Sequence, residues 1–304
     1  MAKKRISVNK VYNINVWHLI ALIPIIIFNY YKNGVLVVRT NYMTSFSSLQ
    51  YLVIPVIIVV LSYIFEIYYY IGKAKKNDLT DVVNSFVPFA NVLCYLVCGP
   101  NMPLYIIIPL IVVIDILMKV IGNKVCLNRV ALFKCILFIL LALLGIYNNS
   151  NLYELKENVV VTSISDLFLG FNAGEMGSIS NLAVLIGFVI LLFNKYYKKG
   201  IAFTAIITYL LFCCFFIAMK MLTPEEILSN TFNSGILFAI VYVLTLSDAS
   251  PVLHGGKIIY SIFFSILAAI FVNIYSFDLG IYFIILALSF ISPLVNKLKI
   301  SIYK

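Results

Sequence analysis

Long apolar stretches separated by short polar connections run the length of the chain, at 14–31, 49–71, 84–98, 102–121, 130–147, 181–194, 201–219, 232–247, 258–275 and 280–295. A helix crossing the hydrocarbon core of a bilayer needs about 20 mostly apolar residues, fewer where protein surrounds it. The ten stretches therefore predict ten membrane helices. The period-two alternation of barrel strands is absent, and lipid offers nothing to satisfy exposed backbone groups, so helices are the expected element. One connection departs from the pattern. Residues 148–180 form the longest loop, and it carries the glycine-rich stretch FLGFNAGEMGSIS at 168–180. Loops of this length without structure of their own are usually functional or disordered. The spacing of Gly170, Gly174 and Gly177 predicts backbone packed closely against a neighbour, dipping into the membrane where protein surrounds it.

Composition narrows the class. Of 304 residues 63% are hydrophobic and 11% charged, against about 25% charged in soluble domains. This excludes an ordinary soluble globule, a disordered chain, a coiled coil and a disulfide scaffold. The net charge of +10 acquires meaning once it is distributed over the loops. Lys and Arg are retained on the cytoplasmic side, and with the N-terminus inside, 18 of the 22 basic residues fall on inner segments, leaving Lys32, Arg39, Lys156 and Lys220 outside. One span more or fewer in mid-chain would destroy that asymmetry. The expected topology is thus N-in and C-in, and the positive charge is topological, not a nucleic-acid footprint. The basic start MAKKRISVNK lacks the short apolar core and small-residue site of a removable signal peptide. Six cysteines lie in or beside apolar runs with no metal-binding spacing and are read as packed thiols.

A repeat is visible in the third and eighth stretches. NSFVPFA at 84–90 and NSGILFA at 233–239 share N-S-x-x-x-F-A, followed by an apolar run and a polar loop ending in Pro. The offset is five helices, an odd number, so the halves have opposite orientations in the membrane. The domain reading is a first five-helix repeat at 1–147, the outer loop at 148–180 and a second repeat at 181–304. Inverted repeats place sites at their interface, often with interrupted helices. Asn84, Ser85, Asn233 and Ser234 either line that interface or cap the helices they open.

Ionisable groups at membrane depth are costly and often functional. Glu66, in LSYIFEIYYYI, has no partner at helical spacing and is read as a cation or proton site. Asp115, in LIVVIDILMKV, is followed four residues on by Lys119, a spacing that brings side chains together. Asp115 is therefore either half of an ion pair near the inner interface or part of a cation pathway. His18 and His254 have no second ligand at metal spacing. No nucleophile elbow, Walker loop, dinucleotide fingerprint or zinc motif is present.

The segment SDLFLGFNAGEMGSISNLAVLIGFVILL at 165–192 resembles one in the D subunit of the Rnf electron-transport complex, a family that includes the B subunit of the sodium-translocating NADH:quinone reductase. GPNMPLY at 99–105, IGNKVCLNRVAL at 121–132 and SPVLHGGKIIYSI at 250–262 match further family turns in the same order. The resemblance implies an all-helical, ten-span inverted-repeat subunit in the cytoplasmic (inner) membrane of a prokaryote. It further implies bound flavin (FMN), electron relay coupled to Na+ or H+ transport, and partnership with other membrane subunits, lipids and a flavin transferase. In such families FMN is attached through its phosphate to a Thr ahead of the glycine-rich loop. Here Ser150 stands at that position, Asn151 replaces the following Pro, and Lys156 is retained. The same resemblance assigns Gly170, Gly174, Gly177 and Ser180 to the cofactor region. Ser178 replaces a family Glu, with Glu175 one turn earlier, and Arg129 replaces the Pro after Asn128.

Two other readings remain from the same architecture: a small-solute carrier or channel, since fold does not fix function, and a structural subunit that has lost its flavin. In-gel flavin fluorescence of the purified protein, with a peptide mass for residues 148–161, separates them. FMN mass on Ser150, abolished by Ser150→Ala, is the expected outcome for a flavin subunit; absence of any flavin after native isolation counts against it.

Overall fold

The computed structural model describes residues 8–39, 43–72, 85–121, 126–145, 163–171, 174–246, 249–277 and 279–295. Among these the regular elements are all helices. We number the principal ones α1 (Val8–Tyr30), α2 (Gln50–Gly72), α3 (Val87–Leu96), α4 (Leu104–Ile121), α5 (Arg129–Leu143), α6 (Asn181–Leu192), α7 (Lys199–Ala218), α8 (Pro224–Asn233), α9 (Ile236–Val243), α10 (His254–Asn273) and α11 (Leu279–Val295). A π-helical turn, Tyr31–Leu36, carries α1 on to Arg39. Each apolar stretch thus contains a helix, and the eighth is broken. Polar residues at the stretch boundaries start several of them. Asn128 and Ser180 accept the backbone N–H of Ala131 and Ala183, and Thr223 and Glu226 form a reciprocal capping box before α8.

Length sorts the helices into two kinds. Five segments, Val16–Arg39, Gln50–Tyr69, Leu104–Ile121, Lys199–Ala218 and His254–Asn273, are long and apolar enough to cross a bilayer alone; α8 and α9, bent by 58°, make a sixth if taken together. By contrast α3 and α6 have 10 and 12 residues, which at 1.5 Å per residue reach only about 15 and 18 Å. A helix that stops halfway through an apolar layer leaves carbonyls or amides without partners. That is tolerable only inside protein, and every residue of α3 is buried.

The same holds for α9. Gly235 enters it with a positive φ of 70°, and residues 239–243 wind as a π turn that displaces carbonyls from the regular ladder. Side chains from elsewhere supply the donors: Tyr197 Oη to the Val241 carbonyl at 2.9 Å and Asn128 Nδ2 to the Val243 carbonyl at 2.8 Å. In return α9 braces the first helix, because the Tyr242 hydroxyl donates to the Ala21 carbonyl at 2.9 Å. Around these buried short helices the long ones present apolar residues outward, such as Ile57, Val113, Leu211 and Phe263, as a lipid-facing surface does.

Gly187 on α6 sits where α1 and α9 converge. A methyl there would overlap the Tyr242 hydroxyl and the Ala21 carbonyl, whereas one at Gly200 meets nothing. Gly187→Ala is expected to cost about 1–3 kcal/mol by overpacking, and Gly200→Ala to be neutral or slightly stabilising. Melting temperatures of the two variants in detergent check this, and equal melting would refute the packing.

Candidate functional site

The glycine-rich loop enters the bundle and ends on α3. Met176 N–H donates to the Cys98 carbonyl at 3.0 Å and Gly177 N–H to the Leu96 carbonyl at 2.7 Å, so the loop backbone caps the C-terminus of the half-length helix. Gly177 is needed for this approach, since a Cβ there would lie 2.7 Å from the Phe238 ring. Gly170, at φ +110°, closes the short helix Ile164–Leu169 and packs on the Ile179 carbonyl. Ser178 abuts Gly235, and Ser180 caps α6. The loop therefore fills the space between the end of α3 and the beginning of α9, in the buried position predicted from its glycines.

Three ion pairs flank α3. Lys119 Nζ lies 2.6 Å from Glu66 Oε2, and 4.0 Å from the centre of the Tyr69 ring. Arg129 Nη1 lies 3.1 Å from Asp115 Oδ1. Between α2, α3 and α4, Asn91 Nδ2 donates both to Asp115 Oδ2 at 2.7 Å and to Ser62 Oγ at 2.9 Å. Glu66, Asn91 and Asp115 are at most 3% exposed. Glu66 Oε1, Asn91 Oδ1 and Asp115 Oδ1 accept no hydrogen bond. Ser62, Asn91 and Asp115 also close the polar end of a crevice of about 40 Å³ otherwise lined by Ile58, Phe65, Ile111 and other apolar residues. The third pair joins the loop to the helices: Lys134 Nζ is 2.8 Å from Glu175 Oε1 and donates to the Val97 carbonyl at 2.7 Å. The Tyr282 hydroxyl, from α11, donates to Glu175 Oε2.

These partners differ from the sequence expectation. Lys119 pairs with Glu66 across helices and not with Asp115 one turn back, and Glu66, expected without a partner, has one. Asp115 takes Arg129 instead. Helical spacing compares residues on one helix only, whereas these contacts cross between helices. Arg129, Asn91, Ser62 and Lys134 went unrecognised as site residues. For Lys134 the signal was present: it lies five residues inside α5, in RVALFKCILF, where an unpaired ammonium would be as costly as a carboxylate. Of the repeat residues, Ser85 accepts the Val87 N–H ahead of α3. Asn233 ends α8, and Ser234 with Gly235 makes the break before α9; Asn84 lies outside the described residues. His18 is packed among Phe86, Phe89 and Tyr197.

Ser150 and Lys156 lie outside the described residues, so the fit of a flavin is tested on the loop. Gly170 and Gly177 meet protein atoms, the amides of 176 and 177 bond α3, and Ser180 Oγ is taken by α6. Gly174 has only the Ser178 hydroxyl near its open side. These groups are occupied in seating the loop and do not form a flavin cradle. A surface cavity of about 630 Å³ between Ile164–Leu167 and α8 has the volume cofactors occupy, but its charged lining residues are Glu225 and Glu226, the wrong sign for a phosphate.

The model of the NQR2, RnfD, RnfE family matches residues 5–303, and the chain belongs to that family. No curated protein matches it. Together with its apolar helices, this makes the chain a multi-pass membrane protein.

Removing one partner of a buried pair strands the other, at about 3–5 kcal/mol. Arg129→Met is expected to destabilise by that amount, and Asp115→Asn added to it to recover a large part of the loss. Thermal unfolding of the single and double variants in detergent measures the coupling; strictly additive losses would refute the pairing.

Proposed function

With family membership as the premise, we propose that the chain is a membrane subunit of an Rnf- or Nqr-type ion-translocating electron-transport complex, and that it provides part of the path for Na+ or H+. The observation that carries this reading is the buried charged cluster of α2–α5. Ion pairs whose oxygen atoms remain partly unsatisfied in an apolar layer are costly to keep for stability alone. Glu66 and Asp115 supply carboxylate oxygens, with Asn91 and Ser62 adding neutral oxygen donors, the hard ligands that alkali cations and protons take. Lys119 and Arg129 balance the charge while the path is empty.

The finer architecture belongs to the same proposal: ten crossings in two inverted five-helix repeats, both termini inside, in a prokaryotic cytoplasmic membrane beside other membrane subunits. Helix neighbours support it. α1 packs on α6 and α5 on α11, the pairs an inverted repeat relates across its axis, and α4 against α5 is matched by α10 against α11. FMN, in this reading, is held by the 148–156 segment, with Ser150 as the phosphoester position and Lys156 following it in sequence, and would supply electron relay. A second reading, a subunit without its own flavin, is favoured by the loop, whose glycines and Ser180 are engaged by protein.

The ion path is tested in the assembled complex. Asp115→Asn and Glu66→Gln are expected to lower coupled ion transport at least tenfold in membrane vesicles, with a smaller effect on electron transfer. Unchanged transport in both variants sinks the reading.

A further inference from the structure

The end of α3 holds a second arrangement that the cluster at Asp115 does not explain. A helix C-terminus carries partial negative charge on its last carbonyls, and in membrane carriers the ends of half-helices are where cations are coordinated. Around the end of α3 three successive carbonyls need donors. Leu96 and Cys98 receive fixed backbone amides from the loop. Val97, between them, receives a movable cation, the Lys134 ammonium, at 2.7 Å. The same ammonium lies 2.8 Å from Glu175 Oε1 and 5.9 Å from the centre of the Tyr282 ring. One backbone carbonyl, one carboxylate and one aromatic face are the surroundings a small monovalent cation takes when it sheds water.

We propose that the Val97 carbonyl and the Glu175 carboxylate form a monovalent-cation site whose resident occupant is the Lys134 ammonium, a tethered competitor that closes the loop side of the ion path. Lysine suits the task because its charge is a compact point on a flexible stem. Exchange with a free cation conserves the charge at Glu175, since one positive charge leaves as another enters. Access is from the carboxylate side: the Glu175 side chain is 23% exposed and that of Lys134 8%. Tyr282 holds the second carboxylate oxygen, so Glu175 stays in place when the ammonium withdraws. Tyr282 is thus a positioning residue. The site lies at the C-terminal end of α3, beyond mid-helix Asn91 and its contact with Asp115, and so gives the proposed path a second station. The proposal rests on the ion-path reading for its role but not for its test.

The test is chemical replacement of the tethered cation. Full-length protein purified in detergent is melted in choline chloride, sodium chloride, potassium chloride or methylammonium chloride at equal ionic strength. Wild type is expected to melt alike in all four. Lys134→Ala is expected to melt lower in choline and to regain at least half the loss with one or more of the small cations. That recovery should be saturable, growing with the logarithm of concentration thereafter. Adding Glu175→Gln should abolish it. A merely structural lysine predicts no cation preference. The proposal is overturned if Lys134→Ala melts alike in all four salts, or if the double variant recovers as well as the single. Should Lys134→Ala fail to fold in every salt, Lys134→Gln is titrated under the same criteria. Undiminished transport in Asp115→Asn and Glu66→Gln would defeat the functional reading and leave this titration intact; a flat titration would defeat the cation site alone.

Discussion

A membrane interior has no water to take up a backbone group that its own helix has released, and the architecture follows from that constraint. α3 stops after 10 residues and α9 unwinds into a π turn over 239–243. Each interruption frees carbonyls that would cost several kcal/mol apiece in lipid. The loop amides, Lys134, Tyr197 and Asn128 take up those at the two interruptions. The interrupted helices are therefore the most buried elements, and the long apolar helices are arranged to enclose them. Covering and capping are two parts of one solution.

Charge is distributed unequally over this frame. All three ion pairs among the described residues use helices of the first half, with Glu175 added from the loop. In the second half, among the described residues, the fully buried side-chain contacts are neutral, Tyr209 with Thr231, Asn273 with Tyr209 and Ser265 with the Ala205 carbonyl, while the half-buried Lys198 ammonium donates to Ser250. Such neutral contacts hold helices together at about 0.6 to 2 kcal/mol each, without a charge to exchange. Among the described residues, ion pairs thus gather in the first half and neutral packing contacts predominate in the second. The fold alone could not have revealed which half was which.

The positions of the helices were legible because hydropathy reports withdrawal from water, whether into lipid or, as for α3 and α9, into protein. The apolar stretches beginning at 130 and 181 located the starts of α5 and α6, but Asn128 and Ser180 were not read as their caps, Ser180 having been assigned to the cofactor region. Gly170 and Gly177 were read correctly as close approaches, Gly174 was not, and what Gly177 approaches was hidden, since Leu96 and Phe238 lie far away along the chain. Partners of buried charges were illegible for a related reason. Helical spacing paired Lys119 with Asp115, but a choice between Glu66 and Asp115 depends on how α2, α4 and α5 cross. Lys134 was hidden by its own usefulness: counted among the expected cytoplasmic charges, it strengthened the topology while in fact meeting an acid from the loop expected on the other side.

The bond from Tyr242 to Ala21 joins residues 221 positions apart. A ribosome adding 5–20 residues per second needs about 10–45 s to make that much chain. Throughout this interval α9 is still unmade, and for most of it so is α6, on which the first helix packs. The middle of its inward face, Ala21, Leu22 and Ile25, is apolar and waits in lipid at little cost, with polar His18 and Asn29 on either side of it. Biosynthesis thus leaves the apolar middle of the first helix to lipid until the polar contact that fixes it is delivered by a residue from the last third of the chain.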